Sequence, residues 1–151
     1  MKVLVPVDGS AHSLEALKVA VDFVKCKGAE VYVISVVPFI GGMEDHEISP
    51  KRRERTMESI ENLANTAVKH ALEVLDAQNV VPSGSRTVAT SISVPDAIID
   101  FAETEKIDLV IMGSRGLSTS SRFKLGSVAS QVMKYSPCSV YLVKMPAERT
   151  S

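Results

Sequence analysis

Residues 109–130, LVIMGSRGLSTSSRFKLGSVAS, leave an apolar run, pass through a loop marked by glycines and enter a stretch with helical character. Gly113 and Gly116 open the loop and Gly126 closes it, and the residues between the last two glycines are rich in Ser, Thr and basic side chains. A buried strand that ends in such a loop before a helix is typical of α/β proteins, where ligands bind beyond the carboxyl ends of the strands. Two interpretations stay open from these residues alone: a phosphate-binding loop or a plain connection.

The rest of the chain repeats this alternation of apolar strands and helices. Each predicted helix begins near a capping residue or a proline, at Ser10, Pro50, Pro95 and Gly126. The predicted strands are Val3–Val7, Val31–Val37, Arg86–Ile92, Asp108–Met112 and Ser139–Val143. This order predicts an α/β fold, a doubly wound parallel sheet with helices on both faces. We expect one domain over residues 1–146, followed by a frayed tail at residues 147–151.

Length and composition restrict the function. The chain has 151 residues, 45% of them hydrophobic, and a net charge of −1, which argues against a nucleic-acid-binding face. Aromatic residues are 5% of the chain and Trp is absent, so platforms for stacking bases are scarce. No apolar run is long enough for a signal peptide core or a membrane span. We therefore expect a cytoplasmic protein without nucleic-acid or membrane partners.

The glycine loop has the chemistry of a phosphate site. Glycines let backbone N–H groups approach a ligand closely, and the start of the following helix adds free N–H groups and a positive dipole end. The Ser127 hydroxyl can cap that helix and also bind a phosphate. Arg115, Arg122 and Lys124 add positive charge. A Walker A loop and a dinucleotide-binding G-x-G-x-x-G after the first strand are both missing from the sequence.

The spacing of the three glycines resembles a known family. Gly113-Ser114-Arg115-Gly116, nine residues, then Gly126-Ser127 is similar to the G-x2-G-x9-G-[ST] motif of ATP-binding universal stress proteins. The stretches VLVPVDGSAHSLEAL, DLVIMGSRG and LGSVASQVMKYSPCSVYLVK also resemble that family, so the likeness covers nearly the whole chain. The resemblance implies a five-stranded sheet of order 3-2-1-4-5, similar to the adenine nucleotide alpha-hydrolases.

The resemblance also implies a set of nucleotide-binding residues. Asp8 matches the position that contacts the ribose, and the Val36 backbone matches the position that pairs with adenine. The other matching positions lie beside the base, at the ribose–phosphate turn and at the helix that cradles the phosphates: Pro6, Val7, Met112, Gly113, Arg115, Gly116, Gly126, Ser127 and Val128. The implied ligand is ATP, ADP or AMP, with Mg²⁺ as a candidate companion of the phosphates.

Three functions follow as hypotheses. The first is a universal stress protein that binds an adenine nucleotide and signals as a homodimer through its last strand, Ser139–Val143, which would otherwise be an apolar sheet edge. The second is an enzyme that cleaves ATP between the α- and β-phosphates, although its usual S-G-G-x-D-S and H-x-G-H signatures are missing. The third is a homodimeric interaction module without nucleotide binding. The sequence favours a binding module and no catalytic residue is predicted.

Other polar features fit simpler roles. Asp8 can be a turn residue, although Ser10 can cap the following helix by itself and would free Asp8 for a ligand. The Glu44–Glu47 cluster, EDHE, is more typical of a solvated loop than of a metal site. The basic run at residues 51–55, KRRER, fits the exposed first turns of a helix, and Cys26 and Cys138 fit unpaired thiols.

Overall fold

The computed structural model describes residues 1–38, 50–115 and 125–145. Strands and helices alternate along these ranges, as the hydrophobic pattern predicts. The strands are β1 (Lys2–Pro6), β2 (Glu30–Pro38), β3 (Gly84–Thr90), β4 (Leu109–Gly113) and β5 (Ser139–Val143). The helices are α1 (Ala11–Lys27), α2 (Pro50–Ala77), α3 (Val94–Thr104) and α4 (Ser127–Tyr135). The predicted tail at 147–151 lies outside the described residues.

The five strands form one parallel sheet of order β3-β2-β1-β4-β5, which confirms the predicted fold class. Helices α1 and α2 pack on one face, and α3 and α4 pack on the other. Both faces of the sheet are therefore covered, which is why the three inner strands β1, β2 and β4 are apolar at nearly every position rather than at alternate positions. Successive β1 residues divide between the two layers: Val3 and Val5 belong to the first, Leu4 to the second.

The third strand begins and ends two residues earlier than the predicted Arg86–Ile92. It pairs with β2 from Tyr32↔Gly84 to Pro38↔Thr90, and this register, which local sequence does not reveal, starts two residues before Arg86. Beyond Thr90 the chain turns, and the Ile92 N–H donates to the Thr90 hydroxyl at 3.1 Å. Ser93 then caps α3.

A crevice opens at the carboxyl ends of β1 and β4, where the direction of winding reverses. Strand β1 pairs with β2 over five residue pairs but with β4 over two, the last being Leu4↔Val110. Pro6 has no N–H with which to extend the β1–β4 ladder. The β4–β5 pairing, in contrast, continues to Gly113↔Val143. Pro6 thus ends the central pairing early and leaves a gap at the point where doubly wound sheets bind ligands.

Candidate functional site

A cavity of about 380 Å³ occupies this crevice. Such a volume lies within the range of small-molecule sites, about 300–1,000 Å³. Ten of the eleven residues predicted from the sequence line the cavity: Pro6, Val7, Asp8, Val36, Met112, Gly113, Arg115, Gly126, Ser127 and Val128. The eleventh, Gly116, lies outside the described residues, as do Arg122 and Lys124. Four elements that are distant in sequence therefore meet at one site, and the binding role of each residue remains a prediction.

Apolar side chains from four elements form one part of the cavity wall, defined here as the apolar wall: Val36, Val94, Ile98, Met112, Val128 and Ala129. All six belong to the layer of packing between the sheet and helices α3 and α4. Sequence reasoning missed Val94, Ile98 and Ala129. Val94 and Ile98 are four residues apart, so both lie on one face at the start of α3. This spacing is the sequence signal from which their shared position could have been predicted.

The backbone of Val36 faces the crevice. In a parallel sheet the N–H and C=O groups of alternate residues point to opposite neighbours. The last hydrogen bond of β2 toward the β1 side joins the Val7 N–H to the Ile34 C=O at 2.8 Å. Val36, two residues further on, directs its N–H and C=O to the same side, past that bond. One donor and one acceptor are thereby presented side by side at the apolar wall.

Asp8 lies at the exposed rim of the cavity and has a structural bond of its own. Its Oδ1 accepts the Ser10 N–H at 2.9 Å, and Gly9 between them has a φ of 84°, which favours glycine. Ser10 caps α1 without help from Asp8, as predicted, but Asp8 also shapes the turn through Oδ1. Oδ2 receives no hydrogen bond from the described residues and remains available to a ligand.

Ser10 caps α1 as predicted. Its Oγ accepts the Ser13 N–H at 3.2 Å, and the Ser13 hydroxyl donates to the Ser10 C=O at 2.9 Å. Both serines are buried, and both line the cavity together with buried Ser35. The sequence singled out Ser10 as a cap but gave no indication that Ser13 and Ser35 reach the cavity.

Gly113 has a steric role that the sequence did not reveal. A Cβ at Gly113 would lie 2.6 Å from the Cβ of His12 and 2.9 Å from its carbonyl carbon. The end of β4 thus packs directly on the first turn of α1. Since a backbone atom of His12 blocks the position, glycine is required here for close packing whatever ligand binds.

The N-terminus of α4 lies open at the cavity. Gly126 is the N-cap, with φ −60° and ψ 153°, and no side chain among the described residues caps this helix. The expectation that Ser127 is the cap is wrong by one residue, because Ser127 already has helical geometry as the first residue of α4. Gly126, Ser127, Val128 and Ala129 all line the cavity. The first N–H groups of α4 and the positive end of its dipole therefore face the same space as the Asp8 rim.

The described part of the chain contains no cluster of metal-binding side chains. No group of three or more His, Cys, Asp or Glu side chains there is arranged to hold a metal ion. The acidic cluster at Glu44–Glu47 lies outside these ranges. Among the described helices, none has the length and apolar character needed to cross a membrane.

The fold is shared with solved universal stress proteins. The structure of one from Lactobacillus plantarum matches with a TM-score of 0.77 at 22% identity, over 95% of this chain and 97% of that one. A universal stress protein from Archaeoglobus fulgidus in complex with dAMP matches with a TM-score of 0.68 at 23% identity, over 95% and 98%. A family member from Arabidopsis thaliana with AMP bound matches with a TM-score of 0.66 at 18% identity, over 100% and 95%.

Sequence comparison identifies the family. A universal stress protein of Methanocaldococcus jannaschii is 36% identical over 155 aligned residues, covering 96% of this chain and 82% of the relative. One of Bacillus subtilis is 29% identical over 153, covering 95% and 98%. The sequence model of the universal stress protein family matches residues 1–144. The chain belongs to the universal stress protein family.

Proposed function

We propose that this protein binds an adenine nucleotide in the cavity at the carboxyl ends of β1 and β4. One observation supports this above all: ten predicted nucleotide-binding residues line a single cavity, and an uncapped helix N-terminus opens into it. The structures of two family members that hold dAMP and AMP give independent support. Their identities to this chain are low, so the assignment of each part of the nucleotide is argued from the cavity itself.

The apolar wall suits a purine base. Its six side chains provide dispersion contacts to a flat ring and no polar side-chain group. Base selection would then fall to the Val36 backbone, whose N–H can donate to adenine N1 and whose C=O can accept from the adenine amino group. Guanine presents the opposite pattern at these two positions, so we expect adenine to be preferred.

With the base on the apolar wall, the ribose would lie near Asp8, just before α1, and the phosphates near the N-terminus of α4. Asp8 Oδ2 can accept hydrogen bonds from ribose hydroxyls at the rim of the cavity. The phosphates would lie against the first turn of α4, where the N–H groups of Ser127 and Val128 and the Ser127 hydroxyl are donors. ATP fits this arrangement because each added phosphate brings negative charge to the positive end of the α4 dipole.

A binding module fits the cavity better than an enzyme. Asp8 is the one carboxylate among the described residues that line the cavity, and no histidine lines it there. These residues therefore provide no pair of side chains for general acid–base catalysis. Mg²⁺ accompanying ATP would be held mainly by phosphate oxygens and water, as is common for this ion.

Ligand released from the protein tests the binding proposal. The protein is purified without added nucleotide and denatured, and the supernatant is analysed by mass spectrometry. We expect ATP, ADP or AMP in amounts comparable to the protein. Incubation with ATP serves as the second arm, and formation of AMP with pyrophosphate would instead support an enzyme that cleaves the α–β bond. Failure to detect or bind any adenine nucleotide would favour an interaction module.

We also propose a homodimer in which β5 pairs with β5 of a second copy. Strand β5 is last in the sheet order, and its Tyr141 side chain is 45% exposed. An open apolar edge is an aggregation hazard that pairing would remove. The family description and the relatives' names lead us to propose a stress-response role in the cytoplasm, which loss of stress tolerance in a deletion strain would test.

A Leu-to-Lys substitution at two sites tests the dimer. Leu142→Lys places a charge at the β5 edge but also at a side chain that packs on the apolar layer under α3 and α4, so circular dichroism first establishes that the variant is folded. The folded variant should be a monomer in sedimentation velocity at about 10 µM, because an unpaired Lys opposes edge pairing. Leu63→Lys is the matched control, since Leu63 is 65% exposed on α2, which packs on β2 and β3 rather than on β5. A dimer mass for both variants would place the interface elsewhere, and a monomer mass for the unsubstituted protein would reject the dimer.

A further inference from the structure

Ser114 joins the cavity to the outer edge of the sheet through its two backbone groups. Its N–H donates to the Val143 C=O at 2.9 Å, and its C=O accepts the Gly126 N–H at 2.8 Å. Val143 is the last residue of β5, and Gly126 is the N-cap of α4. Ser114 is 7% exposed, so this bridge is shielded from competing water.

The bond to Val143 also fixes which backbone groups of β5 point outward. Because the Val143 C=O points toward β4, alternation along the strand directs the N–H and C=O groups of Val140 and Leu142 away from the sheet. These are the groups that a second copy would use to extend the sheet. The Ser114 bridge therefore ends on the strand whose free edge is proposed to form the dimer.

Side-chain packing supplies a second connection between the same two places. Val128, in the first turn of α4, lines the cavity and packs against the layer of apolar residues between the sheet and helices α3 and α4. Val140 and Leu142 of β5 pack against the same layer. A displacement of the start of α4 is thus passed to β5 both through backbone bonds and through close-packed side chains.

We propose that nucleotide binding and β5-mediated dimerisation strengthen each other through Ser114. A phosphate held by the first N–H groups of α4 would fix Gly126, and through Ser114 it would fix the end of β5. Pairing of β5 with a second copy would fix the same residues from the opposite side. Both events would hold the same bonded residues in place, so each is expected to favour the other, and the coupling is reciprocal. The coupling rests on the nucleotide binding and the dimer proposed above.

Dimer dissociation constants measured with and without ligand test the coupling. The unsubstituted protein, stripped of nucleotide, is diluted through its dissociation range in sedimentation experiments with no ligand, with saturating ATP or with saturating adenosine. We expect ATP to lower the dimer dissociation constant by about fivefold or more, the lower end of typical allosteric coupling. Adenosine lacks the phosphates that reach α4 and should lower it much less.

Two substitutions at Ser114 locate the connection. Ser114→Pro removes the N–H that bonds to Val143 and keeps the C=O that bonds to Gly126, so the dimer constant should no longer respond to ATP. Ser114→Ala keeps both backbone bonds and should respond as the unsubstituted protein does. Circular dichroism checks that both variants fold. If Ser114→Pro does not fold, the comparison of ATP with adenosine on the unsubstituted protein still decides whether nucleotide binding and dimerisation are coupled.

The outcomes separate the coupling from the function on which it rests. Calorimetry on the same samples reports whether ATP binds, and absence of binding overturns both proposals. ATP that binds a dimer and leaves its dissociation constant unchanged, or raises it, overturns the coupling and retains the proposed function. Coupling that survives Ser114→Pro in a folded variant overturns the role of Ser114.

Discussion

Helices α1 and α4 begin at the same cavity, but their first turns are closed in different ways. At α1 the buried Ser10 hydroxyl accepts the Ser13 N–H, and Asp8 holds the Ser10 N–H in the preceding turn. At α4 the N-cap is Gly126, which has no side chain to offer. The N-terminus of α3 resembles α1, since the Ser93 hydroxyl accepts the Asp96 N–H at 3.3 Å.

This difference separates folding from binding. An N-cap side chain occupies donors that an anion would otherwise use, and a Ser cap stabilises a helix by about 1 kcal/mol relative to Ala but by only a few tenths relative to Gly. Glycine at the N-cap of α4 therefore keeps these donors open at the end that faces the cavity, at little cost in stability. The comparison therefore indicates that the first turn of α1 is closed for stability, whereas the first turn of α4 keeps its donors for a ligand.

The largest expected effect comes from filling the open end of α4. Gly126→Val places a branched side chain where phosphates would lie. ATP affinity should fall about a hundredfold or more in calorimetry, because two or more hydrogen bonds to a charged group, at about 1.5–3 kcal/mol each, would be lost. Adenosine affinity should change little. The φ of −60° at Gly126 is accessible to valine, so the protein should still fold. Equal losses for ATP and adenosine would show that the phosphates lie elsewhere.

Asp8 tests the rim on the α1 side of the cavity. Asp8→Ala should weaken adenosine and ATP alike by about 1.5–3 kcal/mol, the range for hydrogen bonds to charged groups. It also removes the acceptor for the Ser10 N–H and should lower stability. Asp8→Asn keeps an oxygen for that bond and is the matched control for folding. If the Asn variant is as stable as the parent and binds both ligands equally well, Asp8 is a turn residue without a binding role.

Removing one serine hydroxyl from each helix compares the two first turns directly. Ser10→Ala should lower the free energy of unfolding by about 1 kcal/mol and leave the preference for ATP over adenosine intact. Ser127→Ala should leave stability nearly unchanged, because Ser127 is exposed and does not cap α4, while ATP weakens more than adenosine. Urea unfolding and calorimetry on both variants provide the check. The reverse pattern would assign the phosphates to α1.

The smallest expected effect on stability comes from giving α4 a cap like that of α1. Gly126→Ser should change the free energy of unfolding by only a few tenths of a kcal/mol, since Gly and Ser differ little at the N-cap. The new hydroxyl would accept one of the N–H groups at the start of α4 and compete with phosphate. ATP affinity should fall and adenosine affinity should not. A variant that binds ATP more tightly would contradict the view that these donors are kept for the ligand.

The fold class could be predicted from local sequence signals, namely the apolar strands and the capping residues that begin the helices. The ten cavity residues were implied by the resemblance to the universal stress proteins rather than by local signals. What escaped prediction depends on contacts between distant segments. The register of β3 is a matter of its pairing with β2, and the need for glycine at position 113 is set by the backbone of His12. Neighbouring residues with similar capping preferences, such as Gly126 and Ser127, also cannot be told apart without the backbone angles.

Calorimetric titration of ATP, AMP and adenosine into the unsubstituted, nucleotide-free protein tests the central claim most directly. If the base binds the apolar wall and the phosphates bind the open end of α4, all three ligands should bind and affinity should rise from adenosine through AMP to ATP. Raising the salt concentration should narrow these differences, since the phosphate contribution is electrostatic. Equal affinities for adenosine and ATP, or no binding of any of the three, would contradict the account.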